Sequence, residues 1–280
     1  MDTADKIIAF EKNLIREEKS VNTIEKYLRD VRAWQKWNAE NGINAFTKEA
    51  VIAYKNALIA AGYKARSVNS MLCSVNAFLI FCGFGDCRVR TLKIQREVFR
   101  REEKELTRAE FERLCKTALS DGNKRLYMLL LTLCGTGIRV SELPFVTVES
   151  VKRGEAAVTL KGKTRRIFFV KALRKKLLRY AEERKIASGQ IFITKNGNPL
   201  RRTNIWKEMK SLCLKAGVSE EKVFPHNLRH LFARVFYTMQ KDIAKLADIL
   251  GHSSVETTRI YIASTGSEHR LLMEKMRLIC

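Results

Sequence analysis

The sequence predicts a mainly α-helical chain with one small antiparallel β-hairpin, split into an all-α N-terminal domain and a mixed α/β C-terminal one. Three observations carry this. Apolar residues recur at three- and four-residue spacing through most segments. Only residues 156–170 read as strand, tight turn, strand, with Lys161-Gly162-Lys163 as the turn. A charged stretch without periodicity, 89–104, separates the two helical regions.

Four helices are expected in residues 1–88. Ile7, Ile8, Phe10, Leu14 and Ile15 stripe the first. Ser20 caps the second, which carries Ile24, Tyr27, Leu28, Val31, Trp34 and Trp37 and ends at Gly42. Thr47 caps the third, through Val51, Tyr54, Leu58 and Ile59 to Gly62. Ser67 is expected to cap the fourth, which runs from Val68 through Met71, Val75 and Phe78 to Gly83. Residues 89–104 read as a basic inter-domain linker.

Residues 105–280 open on Thr107 and Glu110, a capping box, with a helix to about 118 and another over about 123–134. Gly135-Thr136-Gly137 breaks that helix, and a short one starts near Arg139. After the hairpin, helices are expected at about 172–185, 203–216, 226–239, 242–250, 255–262 and 268–278. A short strand at 190–194 and a turn at 195–199 interrupt them.

Composition narrows the function. The 280 residues are 46% hydrophobic, which suits a packed core, and the net charge is +23. So large an excess points to a polyanionic partner. Residues 1–88 hold 13 basic and 10 acidic side chains, and residues 105–280 hold 34 and 17, so the second region is the main electrostatic grip. No apolar run approaches the roughly 20 residues of a spanning helix, and the N-terminus starts acidic without an apolar signal region, so a cytoplasmic protein is expected. The seven cysteines are scattered without a Cys-x-x-Cys pair, which argues against zinc and disulfides.

The chemistry-bearing residues concentrate late in the chain. Three of the four histidines, His226, His230 and His252, fall between Val223 and Ile262 together with Arg229 and Tyr261. His226 and Arg229 share a helix face at three-residue spacing. His226 and His230 have the spacing of a zinc pair, but there is no His-Glu-x-x-His and no third ligand nearby, and His230 reads as a structural histidine. His252 follows Gly251, a helix stop, and Ser253 with Glu256 is expected to cap the next helix. Arg139 follows a Gly-x-Gly break at a helix start, where backbone N–H groups favour an anion. Lys161-Gly162-Lys163 is a hairpin tip able to place an ammonium at a phosphate.

Together these residues resemble one family, the tyrosine recombinases or phage-type integrases, with a two-domain layout similar to Xer recombinases. The order Arg…Lys…His-x-x-Arg…His…Tyr is matched by Arg139 in Gly-Thr-Gly-Ile-Arg-Val-Ser-Glu-Leu, by Pro-His226-Asn-Leu-Arg229-His230-Leu-Phe-Ala, and by Leu-Gly-His252 through Tyr261. The likeness covers essentially the whole chain. It implies a core-binding, SAM-like domain at 1–88, the linker at 89–104 and a catalytic domain at 105–280, forming a C-shaped clamp around double-stranded DNA. No additional arm-type DNA-binding domain is expected before residue 1.

The resemblance also implies roles. Tyr261 would attack the scissile phosphate, expelling a 5′-hydroxyl and leaving a 3′-phosphotyrosine. Arg139 and Arg229 would clamp the non-bridging oxygens. His226 would move the tyrosine proton, and His252 would bond the phosphate. Lys161 would be the general acid, with Lys163, two residues on in a continuing strand, as its substitute. Glu142 and His230 would brace the site. Neither metal nor cofactor is expected. The chain would be monomeric alone and dimeric or tetrameric on DNA. Its C-terminal helix, with Leu272, Met276 and Ile279 on one stripe, would be exchanged between protomers. Two alternatives stand beside this reading: relaxation of DNA in the manner of a type IB topoisomerase, and a non-catalytic DNA-binding relative.

Overall fold

The computed structural model describes residues 3–94, 102–160, 163–262, 270 and 273–276. It forms two compact units, Met1–Arg96 and Glu97–Cys280. The boundary between them falls within the stretch read as a linker.

The first unit consists of α1 (Thr3–Arg16), α2 (Val21–Glu40), α3 (Lys48–Ala60) and α4 (Ala65–Phe81). Ser20 and Thr47 cap as expected, accepting from the N–H groups of Thr23 and Ala50. Ser67 does not cap α4. The Lys64 carbonyl already accepts from the N–H groups of Ser67 and Val68, so the helix starts three residues earlier and Ser67 lies in its first turn.

Aromatic packing holds this unit together. Phe78 is fully buried, with the rings of Phe10, Phe46 and Trp34 at 5.3, 6.0 and 6.3 Å. The stretch after α4 is tied back by two asparagines one helical face apart. Asn76 exchanges both hydrogen bonds with the backbone of Val89 (2.9 and 3.1 Å), and Asn69 does the same with Leu92 (2.9 and 2.7 Å). An amide side chain mimics a strand partner here, so the first part of the 89–104 segment runs along α4. Residues 95–101 lie outside the described residues.

The second unit begins with a short 3₁₀ turn at Glu102–Lys104, then α5 (Arg108–Ser120) and α6 (Lys124–Thr136). The Thr107–Glu110 capping box forms, with bonds of 3.1 and 2.8 Å. A 3₁₀ segment (Val140–Phe145) and α7 (Val148–Arg153) lead into β1 (Glu155–Leu160) and β2 (Lys163–Phe168), a two-stranded antiparallel hairpin pairing Glu155 with Phe168 and Leu160 with Lys163. Helices α8 (Lys171–Glu183), α9 (Arg202–Ser211), α10 (Cys213–Ala216), α11 (Pro225–Gln240), α12 (Ile243–Leu250) and α13 (Val255–Ile262) complete it.

Helix α6 runs through the middle of this unit. Leu126, Leu129, Leu130 and Leu133 are buried together with Leu177 of α8, Met209 of α9 and Leu228 of α11. Three expectations are corrected. The strand at 190–194 is only two isolated bridges, Thr147 with Gln190 and Ile193 with Pro199, because no continuous partner strand lies beside it. The helix at 203–216 is two pieces meeting at Leu212. Helix α7 had no sequence signal, since six residues are too few to show a period. Residues 270 and 273–276 are helical and Met276 is exposed, while Leu272 and Ile279 lie outside the described residues. Among the described residues no helix is long and apolar enough to cross a membrane, and the six cysteines are free thiols.

Replacing Phe78 with alanine removes the ring that three others pack against. The expected cost is about 3–5 kcal/mol, read as a lower denaturant midpoint for the first unit; Trp34 and Trp37 remain as fluorescent probes.

Candidate active site

Two glycines that end helices build the site. Gly137 (φ 62°) stops α6 and Gly251 (φ 65°) stops α12, both in the left-handed region that glycine adopts without strain. Both are also closely approached. A Cβ on Gly137 would lie 2.5 Å from the Phe232 ring, and one on Gly251 would lie 2.2 Å from Arg165 Cδ. Helix ends leave backbone carbonyls without intrahelical partners. Here two of them point at a single cation.

That cation is Arg229, on the first turns of α11 and fully buried. Its Nη1 donates to the Gly137 carbonyl (2.6 Å) and its Nη2 to the Leu250 carbonyl (2.7 Å). Nη2 lies 2.9 Å from His252 Nε2, while Nε has no hydrogen-bond partner among the described residues. Burial, with Arg139 nearby, pushes the guanidinium down to about 10, which leaves it charged at neutral pH.

His252 is fixed by this contact. Arginine only donates, so Nε2 must accept and Nδ1 carries the proton toward Thr258 Oγ1 at 2.8 Å. Burial and the Arg229 charge push its pKa down to about 4, so the ring is neutral.

Tyr261 is 5% exposed on α13. Its hydroxyl lies 3.3 Å from His226 Nε2. Its ring packs on two imidazoles, with the ring centre of His230 at 4.3 Å and that of His252 at 5.2 Å, tilted by 31° and 30°. The Arg229 guanidinium carbon is 5.9 Å from the ring centre. His230, read from sequence as a structural brace, therefore packs directly against the tyrosine, and its ring edge meets His226 at 4.8 Å.

Arg139 occupies the N-cap of the 3₁₀ segment and is 39% exposed, the open arginine of the site. Glu142 caps it from below, taking its N–H at 2.7 Å and its Nη1 at 3.1 Å. Burial alone would raise the Glu142 pKa; the bonds from Arg165 and Arg139 outweigh it and hold the carboxyl below its usual range. The structure thus brings Arg139, Glu142, His226, Arg229, His230, His252 and Tyr261 together. Lys161 lies outside the described residues, and Lys163 is the first residue of β2.

Sequence reasoning missed Arg165. It donates Nε (3.2 Å) and Nη2 to Glu142 and Nη1 to the Ile249 carbonyl (2.6 Å). A signal existed: Arg165 alternates with buried Ile167 and Phe169, which places it on the inward face of β2. Thr258 was missed too, since nothing marks a helical threonine as a histidine partner. The helix-capping serine is also corrected from Ser253 to Ser254, whose Oγ accepts from Glu256 N. Among the described residues no group of three or more His, Cys, Asp or Glu is placed to hold a metal ion.

The fold is that of the integrases. A lambda integrase dimer bound to a core site superposes with a TM-score of 0.74 at 20% identity, covering 95% of this chain and 97% of that one. A XerA recombinase crystal structure gives 0.54 at 24% identity, covering all of both chains. The phage integrase family model matches residues 104–268, and the phage integrase N-terminal SAM-like domain matches residues 7–82. The chain belongs to the phage integrase family. Tyrosine recombinase XerA of Thermococcus kodakarensis is 32% identical, covering 96% of this chain and 94% of the relative. Tyrosine recombinase XerD of Xanthomonas axonopodis is 30% identical, covering 85% and 86%.

The His252 geometry makes stability depend on pH. Between its ordinary value of 6.5 and its folded value of about 4, the unfolded chain takes up a proton here that the folded chain does not. Its contribution is complete above 6.5 and is lost as pH falls toward 4. In urea unfolding, His252→Asn should lose less of its midpoint between pH 7 and 4.5 than the parent does. Equal losses would mean that His252 titrates normally.

Proposed function

We propose that this chain is a site-specific DNA recombinase that cuts and rejoins double-stranded DNA through a tyrosyl phosphodiester. The observation that carries the reading is the Tyr261 hydroxyl, 3.3 Å from an imidazole nitrogen and beside a buried guanidinium. It is supported by relatives named tyrosine recombinases along nearly the full length and by the net charge of +23.

Tyr261 Oη attacks phosphorus, its proton passes to His226 Nε2, and the O5′–P bond breaks. The 5′-oxygen leaves with a proton from the hairpin lysine, assigned to Lys161 with Lys163 as substitute. A 5′-hydroxyl then attacks the phosphotyrosine, returning its proton to the hairpin lysine, and Tyr261 departs, taking its proton back from His226. One phosphodiester is exchanged for another, so no ATP is required. Arg139, open to solvent, and Arg229, through the N–H groups that its carbonyl partners leave over, face the non-bridging oxygens. His252 first orients Arg229 by accepting from it. Incoming phosphate charge opposes the pKa depression and favours a proton on Nε2, which turns the ring into a phosphate donor.

Residues 1–88 are the core-binding domain, 89–104 the connection and 105–280 the catalytic domain. The protein acts as a dimer or tetramer on DNA, with the C-terminal helix as the exchanged element.

The test uses nicked duplexes made from the DNA flanking the gene. The parent should form a denaturant-resistant protein–DNA adduct and recombine two sites. Tyr261→Phe should keep DNA affinity and form no adduct; an adduct in that variant moves the nucleophile elsewhere. Relaxation without two-site exchange would favour a topoisomerase. Binding should weaken by about 10³–10⁵ between 50 and 200 mM salt if six to ten phosphates are contacted.

A further inference from the structure

Arg165 joins three parts of the site that are far apart in sequence. It stands on β2, two residues from Lys163 at the hairpin end. Its Nε and Nη2 both bond Glu142, the carboxylate that also takes the backbone N–H and Nη1 of Arg139. Its Nη1 bonds the Ile249 carbonyl in the last turn of α12, next to Leu250, whose carbonyl holds Arg229, and two residues before the Gly251–His252 corner. Its side chain also packs where a Cβ on Gly251 would sit.

We propose that Arg165 is a positioning residue for phosphate transfer, setting Arg139 through Glu142 and the Arg229–His252 pair through the α12 terminus. The planar fork makes this possible. Three N–H vectors in one plane reach two carboxylate oxygens and one carbonyl at once, which an ammonium on a flexible stem does not reproduce. Glu142 cannot do the work alone. It is 1% exposed with two cations on it, and losing Arg165 leaves it with Arg139 only. Arg139 would then be drawn into a closer pair with the carboxylate and away from the non-bridging oxygens. The end of α12 would lose its tie at the same time, freeing the carbonyl that holds Arg229.

This rests on the recombinase reading, and the assay separates the two. The parent, Arg165→Lys and Arg165→Met are compared for DNA affinity, thermal midpoint and single-turnover adduct formation on the same nicked flanking duplexes. Two substrates are used, one with an ordinary scissile phosphate and one with a methylphosphonate there. The methyl group removes the negative charge, so less is asked of the arginines. A misplacement of about 1 Å typically costs on the order of 10²-fold. Arg165→Met should therefore lose about 10²-fold on phosphate with affinity within about threefold, and its defect should shrink below about tenfold on methylphosphonate. Arg165→Lys should fall between it and the parent, and it serves as the test should the methionine variant not fold.

Cleavage by the folded variants at the parent rate overturns the proposal. So does an equal loss on both substrates, which is the mark of a merely structural role. No Tyr261-linked adduct in the parent would instead overturn the recombinase reading.

Discussion

A buried arginine with no carboxylate partner among the described residues constrains everything around it. Arg229 is fully buried, and its acceptors among the described residues are two backbone carbonyls and a neutral imidazole nitrogen. Burying a charge is expensive unless its donors are met. The fold meets them with the C-terminal ends of α6 and α12, whose carbonyls lack intrahelical partners and carry the negative end of the helix dipole. Both helices must stop facing the same point, which explains why both stop on a left-handed glycine. A carboxylate in their place would neutralise the guanidinium. Carbonyls hold it while leaving its charge available to an anion.

The same logic governs the rest of the site. Arg139 and Arg165 share one carboxylate, Glu142, and Arg229 lies within reach of both their charges, so a positive excess remains. Glu142 is placed behind Arg139 and not in front of it. It fixes the N-cap and one guanidinium nitrogen, and Arg139 remains 39% exposed. Burial first, and the neighbouring arginine charges second, push down the values at both Arg229 and His252.

Much of this was legible in the sequence, because the constraints on it are local. Gly-x-Gly before Arg139 and Leu-Gly before His252 are helix-stop signals, and the His-x-x-Arg spacing places two groups on one face of α11. Elements with long periods, such as α2 and α6, were legible for the same reason. What escaped depends on distance in sequence. Arg165 looks like one basic residue of Thr-Arg-Arg until the hairpin register turns it inward toward Glu142. Thr258 looks like a helix-surface residue until the α12–α13 corner brings His252 against it. Ser67 and Ser253 failed as caps because the backbone started each helix elsewhere, three residues earlier at Lys64 and one residue later at Ser254. Asn69 and Asn76 showed nothing until an extended segment lay alongside them.

Helix α13 adds a coupling that the linear motif conceals. Thr258 and Tyr261 are three residues apart and share one face of this eight-residue helix. Thr258 holds the Nδ1 side of His252, so it fixes the direction in which Nε2 meets Arg229. Tyr261 lies against the same imidazole and against His230. The positions of the tyrosine and of the histidine are therefore both tied to α13. His230 packs on the same ring, and the tyrosine hydroxyl lies 3.3 Å from His226 Nε2. Helix α13 packs against both α11 and α12, so the place of the tyrosine depends on the α12 terminus. That terminus is where Arg229 and Arg165 both attach, through the carbonyls of Leu250 and Ile249.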